Sequence, residues 1–353
     1  MAKTPREEKL ASFNPDFNGL EAKGLFGLPF TPAESTVVVV PVPWEVTVSY
    51  GAGTAHAPAA ILEASQQIDL HDFHFGKAWQ HGFAMDAIQP LWEQRNAELR
   101  LLAEPYIKTL ESGKMQTSAS DFSLELEKIN EGCSEMVDDV EDVTRQWLSK
   151  GKLVGIAGGD HSSPLGLMRT LAIQHPGYSV LQLDAHADLR PAYEGFEFSH
   201  ASIMHNALKI SAIENLVQVG IRDISQGESD VIKKAEGRIK VFYDAAQKEQ
   251  LFRGKSWAYC CDEIVESLEK KVYISFDIDA LEPHLCPNTG TPVPGGLSFE
   301  QAVFLLETLV KSGRQIIGFD LCEVSPGQNE WDANVGARML YKLCGFAATA
   351  LKA

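Results

Sequence analysis

Residues 179–188 read Ser-Val-Leu-Gln-Leu-Asp-Ala-His-Ala-Asp. The first five form a short, largely apolar run that predicts a buried strand, and the last five place two carboxylates and an imidazole directly after it. Residues two apart at the end of an extended segment point to the same side. We therefore expect Asp184, His186 and Asp188 to face one cavity at the carboxyl end of this strand.

Two other apolar runs end in the same kind of cluster. Residues 152–157 lead into Gly-Gly-Asp-His-Ser, which contains His161, and residues 272–276 lead into Asp277 and Asp279. Each motif alone is also typical of a turn or a helix cap. Because three such motifs follow three predicted strands, we expect their side chains to converge in the folded protein.

Alternation of strands and helices continues along most of the chain. Strands are predicted over 37–43, 152–157, 179–183, 215–219, 239–243, 272–276 and 315–321. Helices are predicted from residue 58 and over 92–112, 121–149 (with 113–120 separating these two), 164–175, 201–209, 229–237, 244–250, 260–270, 299–312 and 333–350. The pattern predicts an α/β fold, a single-domain three-layer α/β/α arrangement with a mostly parallel central sheet and ligands beyond the carboxyl ends of the strands.

The N-terminal region and one internal segment do not follow this alternation of strands and helices. Residues 1–35 are polar with scattered Pro and Gly, and they are predicted to be an N-terminal extension that wraps over the surface. Residues 36–353 are predicted to form one domain that contains the three clusters, with a helical insertion near residues 68–145.

Composition narrows the class of protein. The chain has 353 residues, is 44% hydrophobic and carries a formal net charge of −17. This acidity argues against a nucleic-acid or anionic-membrane partner and is compatible with a small cationic substrate.

The six cysteines include no C-x-x-C pair, which indicates buried, reduced thiols. Residues 1–13 lack the apolar core of a signal peptide, and no long apolar run is present, so a cytoplasmic location is expected.

The converging carboxylates require cations. Four aspartates and two histidines in one poorly solvated cleft would repel each other strongly without them. Six protein ligands exceed what one catalytic metal with an open position needs, so the sequence predicts two divalent ions. Ligands without thiolate suit Mn²⁺, the metal we expect, and also Ni²⁺, Co²⁺, Fe²⁺ or Zn²⁺. The predicted ligands are His161, Asp184, His186, Asp188, Asp277 and Asp279.

These motifs resemble those of the ureohydrolase superfamily, which includes arginases, agmatinases, formimidoylglutamases and guanidinobutyrases. The matching sequences are Gly-Gly-Asp-His at 158–161, Asp-Ala-His-Ala-Asp at 184–188, Ser-Phe-Asp-Ile-Asp-Ala-Leu-Glu-Pro at 275–283, Gly-Thr-Pro-Val-Pro-Gly-Gly at 290–296 and Gly-Phe-Asp-Leu-Cys-Glu-Val-Ser-Pro at 318–326. The resemblance covers roughly residues 36–350. It departs from the family at Asn288 and Ala201, where relatives usually have Gly, and in the length of segment 68–145.

The resemblance implies roles for individual residues. It places Asp184 and Asp277 as ligands of both metals, His161 and Asp188 on one and His186 and Asp279 on the other. His200 matches the acid/base histidine of the family. Glu323 matches the carboxylate that pairs with the substrate guanidinium, and Asp188 is expected to receive a proton during the reaction. The resemblance also implies a homo-oligomer, a trimer or a hexamer.

The expected reaction is hydrolysis of a guanidino group to urea and an amine. Two divalent ions would lower the pKa of a bound water from about 15.7 towards neutrality. Glu194 and Glu197 lie between the metal motif and His200, and an acidic loop there would attract a terminal ammonium. The loop looks like that of prokaryotic agmatinases, so agmatine, giving putrescine and urea, is the expected substrate.

Alternatives remain at this point. Guanidinobutyrate and formimidoylglutamate carry carboxylates and would need a cation, for which Arg190 is the nearby candidate. Arginine or a small guanidine would make the protein another ureohydrolase. A non-catalytic paralogue that binds a partner would have the same fold. A panel of guanidino compounds and the metal content distinguish these hypotheses.

Overall fold

The structure, a computed structural model, describes residues 4–16, 24–112 and 122–351. Its strands are β1 Val37–Val42, β2 Phe83–Met85, β3 Leu153–Gly158, β4 Tyr178–Leu183, β5 Ile213–Val219, β6 Ile239–Phe242, β7 Lys271–Asp277 and β8 Gln315–Cys322. They form one sheet in the order β2-β1-β3-β8-β7-β4-β5-β6. Every pairing between neighbouring strands is parallel, so all carboxyl ends lie at one edge.

Helices cover both faces of this sheet. They are α1 Pro5–Ser12, α2 Ala57–Ser65, α3 Pro90–Glu111, α4 Ser123–Ser149, α5 Leu165–Gln174, α6 Ile203–Ala207, α7 Gln226–Lys234, α8 Asp244–Phe252, α9 Trp257–Glu266, α10 Phe299–Lys311 and α11 Trp331–Ala350. Successive strand residues point to opposite faces. In β7, Val272 and Ile274 belong to one hydrophobic cluster and Tyr273 to another. The predicted three-layer α/β/α fold is therefore confirmed.

The two clusters divide the helices between the faces. One cluster contains buried residues of α2, α9, α10 and α11, and the other contains buried residues of α3, α4, α5 and α6. Side chains of β1 also alternate, with Val37 and Val39 in the first cluster and Val40 and Val42 in the second. Burial on both faces explains why β1 and β3 are continuous apolar runs, as is usual in parallel sheets.

Two elements lie outside the predictions. Strand β2 has only three residues and pairs with β1 at the edge of the sheet. Helix α1 begins at a capping box in which Thr4 accepts a hydrogen bond from the Glu7 amide and the Glu7 carboxylate accepts one from the Thr4 amide. Both are short and lack the apolar periodicity on which the predictions depend.

Part of the N-terminal region contributes to the core. Leu25, Phe26 and Leu28 are each 1% exposed and belong to the first cluster. The expectation that residues 1–35 wrap over the surface is therefore wrong for residues 25–28. These residues pack beside β2 and α11, where the centroid of the Phe26 ring lies 6.2 Å from that of Phe83 and 4.8 Å from that of Tyr341. The division into an extension and a catalytic domain stays a prediction.

Segment 68–145 contributes β2 and two long helices. Helix α4 buries Ile129, Cys133, Met136, Val137 and Val140, a spacing of three and four residues that places them on one face. The predicted separator at 113–120 lies outside the described residues. Among the described parts of the chain, no helix is long and apolar enough to span a bilayer. All six cysteines are buried and free of disulfides.

Candidate active site

Four neighbouring strands supply the candidate site. Strands β3, β8, β7 and β4 are adjacent in the sheet, and His161, Glu323, Asp277 and Asp184 stand at or just beyond their carboxyl ends. Because the strands are parallel, these ends meet at one edge. The topology thus brings together residues that are as far as 162 positions apart along the chain.

The first group of donor atoms surrounds His161. Its Nδ1 atom lies 3.1 Å from Asp184 Oδ2, 3.1 Å from Asp188 Oδ2 and 3.3 Å from Asp277 Oδ2. All four residues are buried, and His161 Nδ1 makes no hydrogen bond within the described protein. Ligand atoms that are each about 2.0–2.2 Å from one ion, at right angles, lie about 3 Å apart. The spacing therefore fits a shared cation.

A second group lies beside the first. His186 Nδ1 is 2.9 Å from Asp279 Oδ2 and 3.6 Å from Asp184 Oδ1. Donor atoms of Asp184, His186 and Asp279 lie within 4.8 Å of one another, as do those of His161, Asp184 and Asp277. Asp184 thus turns one oxygen to each group and joins them. By these distances Asp277 belongs to the first group, and its role in the second stays a prediction.

Hydrogen bonds fix the orientation of the candidate ligands. Asp184 accepts from the His186 amide at 2.6 Å and from Gln182 Nε2 at 2.7 Å. The Asp279 amide donates to Asp277 Oδ1 at 2.8 Å, and the Ala185 amide donates to Asp279 Oδ1 at 3.0 Å. Asp277 and Asp279 therefore present their remaining oxygens towards His161 and His186, and both oxygens of Asp184 are held in place by hydrogen bonds, as is usual for metal-ligating carboxylates.

His161 is held from behind by a buried network. Its Nε2 atom lies 2.8 Å from Ser275 Oγ and 3.7 Å from Asp320 Oδ1. Asp320 in turn accepts hydrogen bonds from the Tyr273 hydroxyl at 2.7 Å and the Phe276 amide at 3.1 Å. A histidine ligand normally has its second nitrogen bonded in this way, which fixes the ring and its tautomer. Ser275 and Asp320 are polar residues inside strands that the sequence-based prediction did not single out.

The ionisable groups of the candidate site lie so close together that they shift one another's pKa values. Burial and the nearby Asp184 charge raise the pKa of Asp188 to about 7. Burial and the charges of Asp279 and Asp184 raise the pKa of Asp277 well above its ordinary value. Burial lowers the pKa of His186, but Asp279 and Asp184 outweigh it and raise that pKa to about 12. Protons relieve the repulsion between buried carboxylates, and divalent cations at the same place would relieve it as well.

A cleft opens beside these groups. It encloses a cavity of about 140 Å³ lined by His186, Asp188, Arg190, Tyr193, His200, Ala201, Asp223, Glu228 and Thr291. A smaller adjoining recess is lined by Val48, Ser49, Tyr50, Gly51, His200, Gly290, Thr291 and Glu323. His200 and Thr291 line both cavities, so the recess beside Glu323 adjoins the larger cavity next to the candidate ligands.

Glu323 and His200 line these cavities, and the pKa values of both are shifted. Glu323 has a positive φ of 63° and accepts a hydrogen bond from the His161 amide at 2.8 Å. Burial and the charge of Asp160 raise the pKa of Glu323 well above its ordinary value. Burial and the neighbouring His186 lower the pKa of His200 to about 4, which favours a neutral imidazole at neutral pH.

The predicted acidic loop is arranged differently. Neither Glu194 nor Glu197 is among the residues that line the cavity. The Glu197 residue is exposed, and the Glu194 carbonyl accepts a hydrogen bond from the Tyr106 hydroxyl at 2.7 Å. The acidic residues that do line the cavity, besides Asp188, are Asp223 and Glu228. Asp223 follows strand β5 at the same sheet edge, a position by which the sequence could have identified it.

Comparison with known proteins assigns the chain to a family. The model of the arginase family matches residues 35–345. The chain belongs to the arginase family. An N(1)-aminopropylagmatine ureohydrolase of Thermus thermophilus is 32% identical over 315 residues, which cover 88% of this chain and 90% of that protein. An agmatinase of Proteus mirabilis is 30% identical over 330 residues, which cover 90% of each chain.

Solved structures support the fold of this arginase-family protein. The agmatine ureohydrolase of Thermoplasma volcanium superposes with a TM-score of 0.69 at 21% identity, covering 98% of this chain and 99% of that one. The family assignment makes the protein a metal-dependent amidinohydrolase, a ureohydrolase that cleaves a guanidino group. The predicted superfamily, fold and enzyme class are confirmed.

Proposed function

We propose that this enzyme hydrolyses a guanidino compound with a cationic amine tail, with agmatine, giving putrescine and urea, as the substrate expected from the sequence. N(1)-aminopropylagmatine is the second candidate, because relatives 30–32% identical to this chain are named as its ureohydrolases. The observation that carries the proposal is the cleft that joins two metal-type ligand groups to Glu323, His200 and the acidic pair Asp223 and Glu228.

Charges in the cleft favour an amine tail over a carboxylate tail. The Asp223 side chain is 70% exposed and lies 3.9 Å from His186 Nε2. Arg190 lines the cavity, but its Nε lies 3.5 Å from Glu228 Oε2 and its Cζ lies over the Tyr193 ring, 4.9 Å from the ring centroid. Because Arg190 is already paired, the exposed Asp223 would repel a substrate carboxylate and attract an ammonium.

Two divalent ions fit the donor atoms. His161, Asp184, Asp188 and Asp277 would hold one, and Asp184, His186 and Asp279, with Asp277 as a further ligand, would hold the other. Imidazole and carboxylate ligands suit Mn²⁺, with Ni²⁺, Co²⁺, Fe²⁺ and Zn²⁺ as alternatives. When bound, such ions lower the pKa of water and so supply a nucleophile at neutral pH.

The side chains of the cleft then bind the substrate and move protons. Glu323 orients the guanidinium through charge-assisted hydrogen bonds. The water oxygen forms a bond with the guanidino carbon while the bond from that carbon to the tail nitrogen breaks. Asp188 accepts a proton from the water and passes it to the leaving amine, and His200 exchanges protons with solvent. The products are urea and the protonated amine.

A panel of substrates tests this proposal. The metal-loaded enzyme is assayed for urea release with agmatine, N(1)-aminopropylagmatine, arginine, 4-guanidinobutyrate and guanidine, each with Mn²⁺ and Ni²⁺. We expect the amine-tailed compounds to have the highest kcat/KM. Preference for guanidinobutyrate or arginine would contradict the amine-tail assignment. If guanidine were the one compound hydrolysed, the enzyme would not recognise a substrate tail.

Substitution of a ligand tests the metal assignment. Asp277→Asn removes a charge from the first group but keeps the side-chain size, so metal content and urea release are expected to fall together. Asp142→Asn, at a 69% exposed carboxylate on α4, is the matched control. Full activity in Asp277→Asn would refute the assignment. A wild-type protein that folds but retains no metal would favour the non-catalytic alternative.

Assembly and location belong to the same proposal. The resemblance to ureohydrolases and the acidic composition support a cytoplasmic homo-oligomer, a trimer or a hexamer. Size-exclusion chromatography with light scattering measures the assembly directly. A monomer at micromolar concentration would contradict this part of the proposal.

A further inference from the structure

One wall of the cleft is a short turn whose tip points away from the cavity. The Phe196 amide donates to the Tyr193 carbonyl at 2.8 Å, and Glu194 and Gly195 between them have φ values of 54° and 87°. Two positive φ angles in succession are typical of a type I′ turn. The base of this turn carries Tyr193, which lines the cavity and lies edge-on to His200 at 5.7 Å.

The tip of the turn is bound by α3 and α4. Tyr106 of α3 donates its hydroxyl proton to the Glu194 carbonyl at 2.7 Å. Asn130 of α4 makes two hydrogen bonds, donating to the Gly195 carbonyl at 3.1 Å and accepting from the Glu197 amide at 2.9 Å. The buried Phe196 ring packs edge-on against Tyr106 at 5.4 Å.

Helix α3 also holds the loop on the other side of the cleft. Asn96 accepts a hydrogen bond from the Glu45 amide at 2.7 Å. Arg100 donates to the Val46 carbonyl at 3.2 Å and also to the Val48 carbonyl. Val48 and the following residues line the recess that contains Glu323. The α3–α4 pair therefore bonds to the backbone of both loops that border the cleft.

Helix α4 is packed tightly into the hydrophobic core. Five residues of α4 are completely buried in the same cluster as Tyr106 and Phe196. Well-packed core helices open less readily than exposed loops. The backbone groups of the turn are thus bonded to an element that is more resistant to local unfolding than the turn itself.

We propose that the α3–α4 pair positions the substrate loops, with Tyr106 and Asn130 as positioning residues for the turn at 193–196. The inference rests on the proposed function of the cleft and adds to it a reason for the long segment 68–145. These residues touch neither the candidate ligands nor the cavity, so they act on substrate binding through Tyr193 and its neighbours. Loss of their hydrogen bonds is expected to weaken substrate binding and leave metal binding intact.

Two conservative variants test the proposal in the full-length, metal-loaded enzyme. Tyr106→Phe removes one hydroxyl and keeps the ring contacts, and Asn130→Ala removes both bonds to the turn. KM for the best substrate of the panel is expected to rise about 2- to 12-fold per lost hydrogen bond, with kcat within twofold. The segment that bears His200 keeps its own bond, from the Arg190 amide to the Ala201 carbonyl at 3.2 Å. Tyr259→Phe, at an exposed tyrosine bonded to Glu263, is the matched control.

A second measurement does not depend on activity. The Glu197 amide bonds to Asn130, so its hydrogen exchange is expected to accelerate in Asn130→Ala at unchanged metal content. Unchanged KM and unchanged exchange at Glu197 would overturn the proposal. If the wild type hydrolyses no member of the panel, the proposed function fails, whereas the exchange rate still decides whether α3 and α4 hold the turn.

Discussion

His161 shows how a single residue connects the core to the chemistry. One ring nitrogen faces three aspartate oxygens, and the other faces Ser275 and the buried Asp320. Its backbone amide meanwhile holds Glu323. A change at any of these contacts therefore alters the orientation of the imidazole, although only one of its atoms points to the candidate metal position.

Ser275→Ala is expected to weaken metal binding without removing a ligand. The substitution deletes the hydroxyl that lies 2.8 Å from His161 Nε2, and loss of such an outer partner typically costs about 10- to 100-fold in metal affinity or activity. Titration of the metal-free enzyme with Mn²⁺ measures the dissociation constant. Ser149→Ala, at an exposed serine on α4, is the control. Equal affinities in the two variants would show that Ser275 does not orient the ring.

At the scale of elements, the site depends on how closely the ends of β1, β3 and β8 approach. The Gly159 amide donates to the Val42 carbonyl at 2.8 Å, and the Gly159 carbonyl accepts from the Glu323 amide at 2.8 Å. A Cβ atom on Gly159 would lie 2.0 Å from the Trp44 carbonyl oxygen. Glycine is required there because two other backbones pass within contact distance.

Gly159→Ala is expected to destabilise the fold by about 1–3 kcal/mol and to weaken metal binding, because the shift propagates to His161 two residues later. Urea denaturation and metal content measure the two effects. Gly227→Ala is the matched control, since the nearest atom to its added Cβ is 4.0 Å away. A Gly159→Ala protein with wild-type stability would show that the strand ends can separate without strain.

The N-terminal helix α1 is joined to the body by a pair of charges. Lys9 Nζ lies 2.7 Å from Glu34 Oε2. The bond from Lys9 and the Thr31 amide together lower the pKa of Glu34 from 4.5 to about 2. A carboxyl group whose pKa is lower in the folded state stabilises the protein above its unfolded pKa, and this stabilisation disappears as the pH falls through the folded pKa.

Lys9→Gln is therefore expected to cost less than about 1 kcal/mol at pH 6, because the pair is partly exposed. The cost should shrink between pH 4.5 and pH 2 as Glu34 is protonated. Urea denaturation of both proteins across this range measures the difference. Lys233→Gln, which removes an exposed lysine on α7, is the control. A cost that persists at the acid end of this range would show that packing of the lysine chain, rather than its charge, holds α1.

For the whole molecule, the carboxyl edge of the sheet concentrates negative charge that the rest of the structure must tolerate. Asp184, Asp188, Asp277 and Asp279 are each no more than 5% exposed, and they approach from strands that lie in the middle of the sheet. Their mutual repulsion opposes folding of the entire domain. Cations bound there would therefore stabilise the fold as well as enable the reaction.

Removal of divalent ions is expected to lower the thermal midpoint. A ligand that binds only the folded state at about 100 times its dissociation constant stabilises it by about 2.7 kcal/mol. Differential scanning calorimetry of the Mn²⁺-loaded and chelated enzyme measures the effect, and Asp277→Asn should show a much smaller difference. Identical midpoints of the loaded and chelated wild type would contradict a metal centre in this position.

Helices and strands could be predicted from the local sequence wherever the spacing of apolar residues matches the period of the element. All the strands except β2, and the long helices, follow from apolar runs and helical periodicity, since most of them are buried along their length or along one face. The start of α7 was placed too late because its capping box, Ser225 and Glu228, precedes the apolar residues. Strand β2 is too short for any period, and it exists because β1 offers an edge with which it can pair.

The fold class and the candidate ligands follow from the amino-acid sequence, because an apolar strand followed by Asp and His is a local pattern. Which acidic side chains face the cleft depends on how distant parts of the chain pack together. Glu194 lies in a positive-φ turn held by α3 and α4, so its neighbours rather than its sequence position set its direction. Asp223 follows β5, so its place at this sheet edge was predictable from the sequence, but the packing of the folded chain decides that it lines the cavity.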